Sequence, residues 1–228
     1  MHRTHLLRLA ISYGILGTSA VWVGLVWLQS LMATFILFHF LVCCMIPIVH
    51  GIGEGSLRAR WSEAFAIWFT RTEGIFVGIA TGTVLCLAAL SGLYLLLQVV
   101  PDKEQIRPVL IRWGLSADWL GLFFTYIVFV NSLLEELMWR GFLLERLERV
   151  VAPMTAMLLS SFFYALYHVV IGTVLFGWKW GAVITGAVFC VGMMWAYIKR
   201  RHPPIYAVWI SHLLADLGIM LALSWWIF

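Results

Sequence analysis

Seven apolar segments, each long enough to cross a lipid bilayer as a helix, make up most of this 228-residue chain. A spanning helix needs about 20 apolar residues, because the hydrocarbon core is about 30 Å thick and each residue rises about 1.5 Å. Only helices and closed barrels satisfy every backbone hydrogen bond inside a bilayer. The pattern therefore predicts an all-α, polytopic bundle of about seven transmembrane helices in one integral membrane domain, residues 1–228. The segments lie near residues 9–29, 31–50, 75–99, 119–143, 153–177, 180–198 and 205–227.

The composition excludes an ordinary soluble domain. The chain is 63% hydrophobic and only 11% charged, whereas soluble domains carry roughly 25% charged residues. A soluble protein of this length could not bury so much apolar surface, so we expect a multi-pass membrane protein surrounded by lipid. The basic residues that give the net charge of +4 are spread over short loops. No polar face collects them, and nucleic acid is therefore not expected as a partner.

Two connectors between the apolar segments mix apolar or aromatic residues with arginines, which predicts amphipathic helices at the membrane interface. The first connector covers residues 51–74, and the second runs from Pro101 to Leu115. The fourth apolar segment is expected to continue as one long helix through residue 149, until Pro153.

The distribution of lysine and arginine predicts the orientation, because cytoplasmic loops are richer in these residues. With a cytoplasmic N-terminus, the inner loops hold ten lysines and arginines and the outer loops hold four. The N-terminus is therefore expected on the cytoplasmic side, and the C-terminus on the outer side.

Three charged residues interrupt the fourth apolar segment: Glu135, Glu136 and Arg140. Each ionised side chain near a bilayer centre costs roughly 2.5–3.5 kcal/mol on insertion scales, so such residues usually face the protein interior. Glu136 and Arg140 are four residues apart, share a helix face and are predicted to form an ion pair. Glu135 points about 100° away around the helix. An arginine held by one carboxylate is a structural device, but the second buried carboxylate is suited to a general base or acid.

A single histidine, His168, lies near the middle of the fifth apolar segment. A histidine in a spanning helix often only hydrogen-bonds to a neighbouring helix, and His39 is interpreted in that way. His168 is different from His39, because it has a possible partner in Glu135. Both residues lie 11–15 residues from the turn that joins their antiparallel helices. At similar depths the two side chains could meet.

His212 and Asp216 are four residues apart on the last helix and share a face. Alone, the pair would be interpreted as a hydrogen bond that fixes that helix. With Glu135 and His168 it completes a polar cluster contributed by three helices. That combination indicates a functional site.

These residues resemble the motifs of the CAAX protease and bacteriocin-processing family of intramembrane endopeptidases. The first motif of the family, EExxxR, is matched by Glu135, Glu136 and Arg140, and Gly141 follows the arginine as it does in the family. The resemblance gives Glu136 and Arg140 a supporting role around the catalytic residues.

The second and third family motifs follow in the expected order. In the FxxxH motif the histidine is His168, and Tyr164 stands in the phenylalanine position. In the HxxxN motif the histidine is His212, and Asp216 stands where asparagine is commonest. The resemblance covers about residues 119–220, the motif-bearing catalytic core.

The resemblance implies proteolysis in or at the membrane. Glu135 and His168 would activate a water molecule that attacks the scissile carbonyl. His212 and the residue at 216 would stabilise the oxyanion. An asparagine donates a hydrogen bond to such an oxyanion, whereas an ionised Asp216 would repel it.

Three roles for Asp216 are open at this point. It could be protonated, it could orient His212 as a triad carboxylate does, or it could help to hold a metal ion. Glutamate, two histidines and aspartate form a plausible zinc set, but the chain has no HExxH motif. We expect a metal-free glutamate mechanism without a cofactor, and zinc is the alternative.

The sequence thus predicts an endopeptidase that cleaves near the C-terminus or membrane edge of a protein or peptide. The substrate could be a CAAX-like prenylated tail, a bacteriocin or pheromone precursor, or a C-terminal sorting tail. The alternative is a non-catalytic transporter or scaffold that uses the buried cluster for a proton relay or for binding a partner. No internal repeat of the kind found in many transporters is evident.

Overall fold

The computed structural model describes residues 3–55 and 72–228 of the chain. This part of the chain is built from helices and contains no β-strand. Seven of the described helices are long and apolar enough to cross a membrane, which confirms the predicted all-α polytopic bundle. Together with the short helix α4, their bounds are α1 Leu6–Trp27, α2 Leu31–Gly53, α3 Thr72–Val99, α4 Ile106–Arg112, α5 Ala117–Leu147, α6 Pro153–Phe176, α7 Trp178–Arg201 and α8 Tyr206–Trp226.

The structure describes the second predicted connector in full and the first one only in part. Residues 56–71, most of the first connector, lie outside the described residues. In the second connector a 3-10 turn, Lys103–Gln105, leads into α4. This helix buries Ile106 and Leu110 and exposes Arg107, as an amphipathic helix does. Helix α5 ends at Leu147, slightly before the predicted end, and turns before Pro153.

Helix α5 contains two stretches of wide π-helix, Tyr126–Asn131 and Leu137–Leu144. The glutamate pair lies between them, in the ordinary α-helical turn Ser132–Glu136. In a π-helix the hydrogen bonds run from residue i to residue i+5, and such turns are frequent at functional sites. The two stretches rotate the faces of α5 relative to a regular helix, so helical spacing alone does not give the orientation of its side chains.

Helices α3 and α8 pack closely through glycine. A Cβ atom at Gly78 would lie 2.5 Å from the carbonyl oxygen of Ala207. Because glycine has no side chain, the two backbones can come this close. At the same contact, the Thr81 hydroxyl donates a hydrogen bond to the Ser211 hydroxyl at 2.9 Å. This contact fixes α8 at the turn that carries His212.

Ion pairs connect α5 to its neighbours near its C-terminal end. They fasten α5 to the end of α2 and to the last turn of α7, so the helix that carries the glutamates is held at this end by charged contacts. The pairs are Arg146 with Glu54 at 2.7 Å, Lys199 with Glu145 at 3.4 Å and Arg200 with Glu148 at 2.6 Å.

Candidate active site

The predicted site residues lie on three helices, α5, α6 and α8, inside the bundle. Burial is nearly complete for most of them, since Glu136 and Arg140 are 0% exposed, His212 2% and Glu135 4%. Charged side chains are almost never buried in this way unless they are paired or functional.

Glu136 and Arg140 form the expected ion pair. The Arg140 guanidinium donates to Oε1 of Glu136 at 2.9 Å and to the carbonyl oxygen of Gly192 at 3.3 Å. Its charge also lies over the ring of Tyr164, 4.3 Å from the ring centre, which is a cation–π contact. Arg140 thereby connects α5 to α6 and α7, as a structural role requires.

Glu136 has a second partner that the sequence did not predict. Nδ1 of His212 lies 2.8 Å from the same Oε1 atom. A carboxylate oxygen can only accept a hydrogen bond, so Nδ1 carries a proton. The supporting glutamate, and not Asp216, therefore makes the short hydrogen bond that orients His212.

The other nitrogen of His212 faces two carboxylates. Nε2 lies 3.7 Å from Oε2 of Glu135 and 3.6 Å from Oδ1 of Asp216. Both distances are slightly longer than a hydrogen bond but fall within the range of an ion pair. A protonated Nε2 would balance part of the negative charge that surrounds the ring. Glu135, Glu136, Arg140, His212 and Asp216 thus form one contiguous cluster.

A tryptophan supports the imidazole of His212. The Trp195 ring stacks on the His212 ring, with centres 4.2 Å apart and planes 23° apart. The Trp195 indole nitrogen donates to the Ser211 hydroxyl at 2.9 Å. These contacts restrict rotation of the His212 ring, and sequence reasoning did not find Trp195.

Asn131 is a further polar member of the cluster that sequence reasoning missed. Its Nδ2 atom donates to Oδ2 of Asp216 at 3.0 Å, and Asn131 is buried. Two signals were available in the sequence. Asn131 is the only asparagine in the chain, and it lies four residues before Glu135 in an apolar segment.

His168 lies at the edge of the cluster and not in direct contact with Glu135. Among the described residues, no His168 nitrogen is within ion-pair distance of the Glu135 carboxylate. Nδ1 of His168 donates to the backbone carbonyl oxygen of Tyr164 at 3.0 Å. In the neutral ring this leaves Nε2 as the unprotonated nitrogen, the form that can accept a proton.

Two tyrosines of α6, Tyr164 and Tyr167, pack against His168 at the edge of the cluster. The Tyr164 ring lies 5.2 Å from the His168 ring and 6.0 Å from the His212 ring, measured between centres. The Tyr167 ring lies 4.3 Å from the His168 ring between centres, and its buried hydroxyl has no hydrogen-bond partner among the described residues. Helix α6 is interrupted at Tyr167, between Leu166 and His168.

Over residues 3–55 and 72–228, no three histidine, cysteine, aspartate or glutamate side chains are grouped closely enough to hold a metal ion.

His39, outside the cluster, was predicted to hydrogen-bond to a neighbouring helix. It is buried, and its Nδ1 atom lies 2.7 Å from the Tyr126 hydroxyl. This contact between α2 and α5 confirms the predicted hydrogen bond between helices.

Comparison with known proteins agrees with the motifs. Residues 117–218 match the family model described as type II CAAX prenyl endopeptidase Rce1-like, a range that contains all six predicted site residues. Neither the curated proteins nor the solved structures give a match to the chain. The matched family consists of proteases and supports a protease role within a membrane. Residues 117–218 of this chain are therefore similar to the Rce1-like type II CAAX prenyl endopeptidases, as the motifs had indicated.

Proposed function

We propose that this protein is an intramembrane endopeptidase that uses Glu135 and His168 to activate water. One observation carries the proposal. The guanidinium of Arg140 pairs with Glu136, so among the described residues the nearest charged partner of the buried Glu135 is the imidazole of His212, at 3.7 Å. A carboxylate in such a position can take a proton from water, because its partner is a titratable imidazole and not a permanent cation.

The proposed reaction is hydrolysis of one peptide bond. Glu135 takes a proton from a water molecule, the water oxygen bonds to the carbonyl carbon, and the carbonyl π electrons move to its oxygen. His212 donates to this oxyanion from Nε2, and Asp216 lies beside it. The oxyanion then collapses, the C–N bond breaks, and the proton held by Glu135 passes to the leaving nitrogen. His168 assists the proton transfers through Nε2.

Glu136 and Arg140 have a positioning role in this proposal. Glu136 fixes the Nδ1 side of His212, so that Nε2 faces the reacting groups. Arg140 in turn fixes Glu136 and neutralises its charge. A histidine whose ring is oriented by a carboxylate is typical of proteolytic sites.

The substrate is proposed to be a membrane-associated protein or peptide that is cut near its C-terminus or at the membrane edge. Three chemical classes are compatible with the family: prenylated CAAX-like tails, precursor peptides and C-terminal sorting tails. We further propose that the N-terminus is cytoplasmic and that hydrolysis needs no metal ion. Zinc analysis of the purified protein and turnover after chelation with EDTA test the second point. A chelated protein that lost turnover and regained it with zinc would contradict the metal-free mechanism.

The test uses the full-length protein in liposomes with one fluorogenic peptide from each substrate class. The wild type is expected to cleave at least one peptide. Glu135→Gln removes the base and should lower kcat by about 10²–10⁴-fold, the usual contribution of general base catalysis. Glu145→Gln is the matched control in the same helix, since Glu145 pairs with Lys199 at the end of α5, and it should not change kcat.

The outcomes separate this proposal from the transporter or scaffold alternative. Cleavage by Glu135→Gln at the wild-type rate would contradict it. Proton-coupled uptake in the same liposomes, with none of the three peptides cut, would favour a transporter that uses the cluster as a proton relay.

A further inference from the structure

The hydrogen bond between Asn131 and Asp216 gives the two oxygens of Asp216 different roles. Nδ2 of Asn131 donates to Oδ2 at 3.0 Å, so Oδ2 is committed as an acceptor. The other oxygen, Oδ1, faces Nε2 of His212 at 3.6 Å. Since an amide nitrogen donates and a carboxylate oxygen accepts, the direction of this bond is fixed. Asn131 on α5 therefore determines which oxygen of Asp216 faces the reacting groups.

The surroundings of Asn131 support a positioning role. The residue lies in the π-helical stretch Tyr126–Asn131, one turn before Glu135. At the start of this stretch, the Tyr126 hydroxyl lies 2.7 Å from Nδ1 of His39 on α2. Asn131 itself is buried and contacts Asp216 on α8. A buried amide that is hydrogen-bonded to a carboxylate does not rotate freely.

We propose that Asn131 is a positioning residue that makes Asp216 equivalent to an asparagine in the reaction. Because Oδ2 accepts from Asn131, a proton carried by Asp216 lies on Oδ1 and points toward the oxyanion. A protonated Oδ1 then donates a hydrogen bond where the amide of an asparagine would donate one. This inference rests on the proposed function, because it assigns a role in the same hydrolysis.

The hydrogen bond from Asn131 also predicts how an asparagine at position 216 would behave. In Asp216→Asn, the amide oxygen should accept from Asn131, and the amide nitrogen should face His212 and the oxyanion. Adding Asn131→Asp to this variant should turn the amide at position 216 around, because its nitrogen would then donate to the newly introduced carboxylate. Its oxygen would then face the oxyanion and repel it.

The test compares Asn131→Ala, Asn131→Asp, Asp216→Asn and the exchange variant that combines Asn131→Asp with Asp216→Asn. For each one, kcat, KM and the unfolding temperature are measured with the peptide that the wild type cleaves. Thr125→Ala, an exposed change on the same helix that removes a bond to the Gly121 carbonyl oxygen, is the control and should match the wild type. All variants are measured as full-length protein in the same liposomes.

The expected results separate stability from catalysis. Asn131→Ala should lower kcat by about ten- to a hundredfold with little change in KM, since small misplacements of a reacting group have effects of this size. Asp216→Asn should keep kcat within about tenfold of the wild type, because a donor still faces the oxyanion. Asn131→Asp opposes two carboxylates and should lower both the unfolding temperature and kcat. The exchange variant should regain the unfolding temperature but not kcat.

An exchange variant that regains kcat together with stability would overturn the inference, and so would Asn131→Ala with the wild-type kcat. A folded but inactive Asp216→Asn would also overturn it, since the carboxylate itself would then be required. Failure of the proposed function gives a different result. In that case Glu135→Gln would be as active as the wild type, whereas failure of this inference alone leaves Glu135→Gln inactive.

Discussion

Nδ1 of His212 donates a hydrogen bond to Oε1 of Glu136 at 2.8 Å, across the contact between α8 and α5. The same oxygen accepts from Arg140 at 2.9 Å, so one carboxylate oxygen connects a guanidinium to an imidazole. All three residues are at most 2% exposed. Glu136 is therefore the link between the part of the cluster that holds the bundle together and the part that faces Glu135.

Substitutions of Glu136 should separate these two roles. Glu136→Gln keeps an oxygen that can accept from both partners but removes the charge, so it should fold and lose about ten- to a hundredfold in kcat, as when a catalytic group is less well oriented. Glu136→Ala leaves Arg140 buried without its carboxylate and should cost about 3–5 kcal/mol of stability. Thermal unfolding in detergent and peptide cleavage measure the two effects.

The control for this prediction is the pair Glu136→Leu and Arg140→Met, made singly and together. Removing both charges leaves no unpaired ion, so the double variant should be more stable than the sum of the single effects indicates. Additive losses would show that the ion pair contributes nothing beyond the individual side chains.

His168 should be required for turnover but not for folding. Its Nδ1 atom is fixed by the backbone carbonyl of Tyr164, which leaves Nε2 for proton transfer. His168→Gln should lower kcat by about 10²–10⁴-fold, as for other general acid–base groups. His202→Gln, the same change just beyond the end of α7, serves as the control. Activity of His168→Gln close to that of the wild type would exclude His168 from the proton transfers.

The sequence predicted what depends on spacing along one helix. The apolar segments gave the seven spans, and the separation of Glu136 and Arg140 gave their ion pair. Both follow from lengths and from the 3.6-residue helical period. The motifs could also be recognised in the sequence, because their order and residue types are specific.

The sequence could not predict contacts that depend on how neighbouring helices are rotated. The bond from His212 to Glu136 and the bond from Asn131 to Asp216 both join α8 to α5. Two π-helical stretches shift the faces of α5, so a regular period gives its orientation incorrectly. The similar depths of Glu135 and His168 did not bring them into direct contact, and the rings of Tyr164 and Tyr167 pack against His168 instead.

Gly192 should be intolerant of a side chain, because it makes room for Arg140. A Cβ atom there would lie 3.1 Å from Cδ1 of Tyr164 and 3.3 Å from a guanidinium nitrogen of Arg140. Gly192→Ala should therefore cost about 1–3 kcal/mol, the usual penalty of overpacking, and should lower kcat through Glu136. Thermal unfolding and cleavage assays measure both effects.

Gly186 offers the matched control in the same helix, since a Cβ atom at this position would meet nothing within 4 Å. Gly186→Ala should be neutral, or stabilising by up to about 1 kcal/mol, because alanine favours helix. Equal losses of stability for the two substitutions would show that the space beside Arg140 is not the cause.

Tyr164 stands where the family motif usually has phenylalanine. Its ring makes the contacts with the charged and histidine side chains of the cluster. The ring centre lies 4.3 Å from the Arg140 guanidinium, and the Tyr164 ring also packs between His168 and His212. Tyr164→Phe keeps all of these ring contacts, so its stability and kcat should stay close to those of the wild type. Tyr164→Leu keeps an apolar side chain but loses the cation–π contact, worth about 0.5–2 kcal/mol, and should also lower kcat because both histidines lose a packing surface. Unfolding temperature and kcat are compared for the two variants. A large loss of kcat in Tyr164→Phe at unchanged stability would instead assign a role in the reaction to the hydroxyl group.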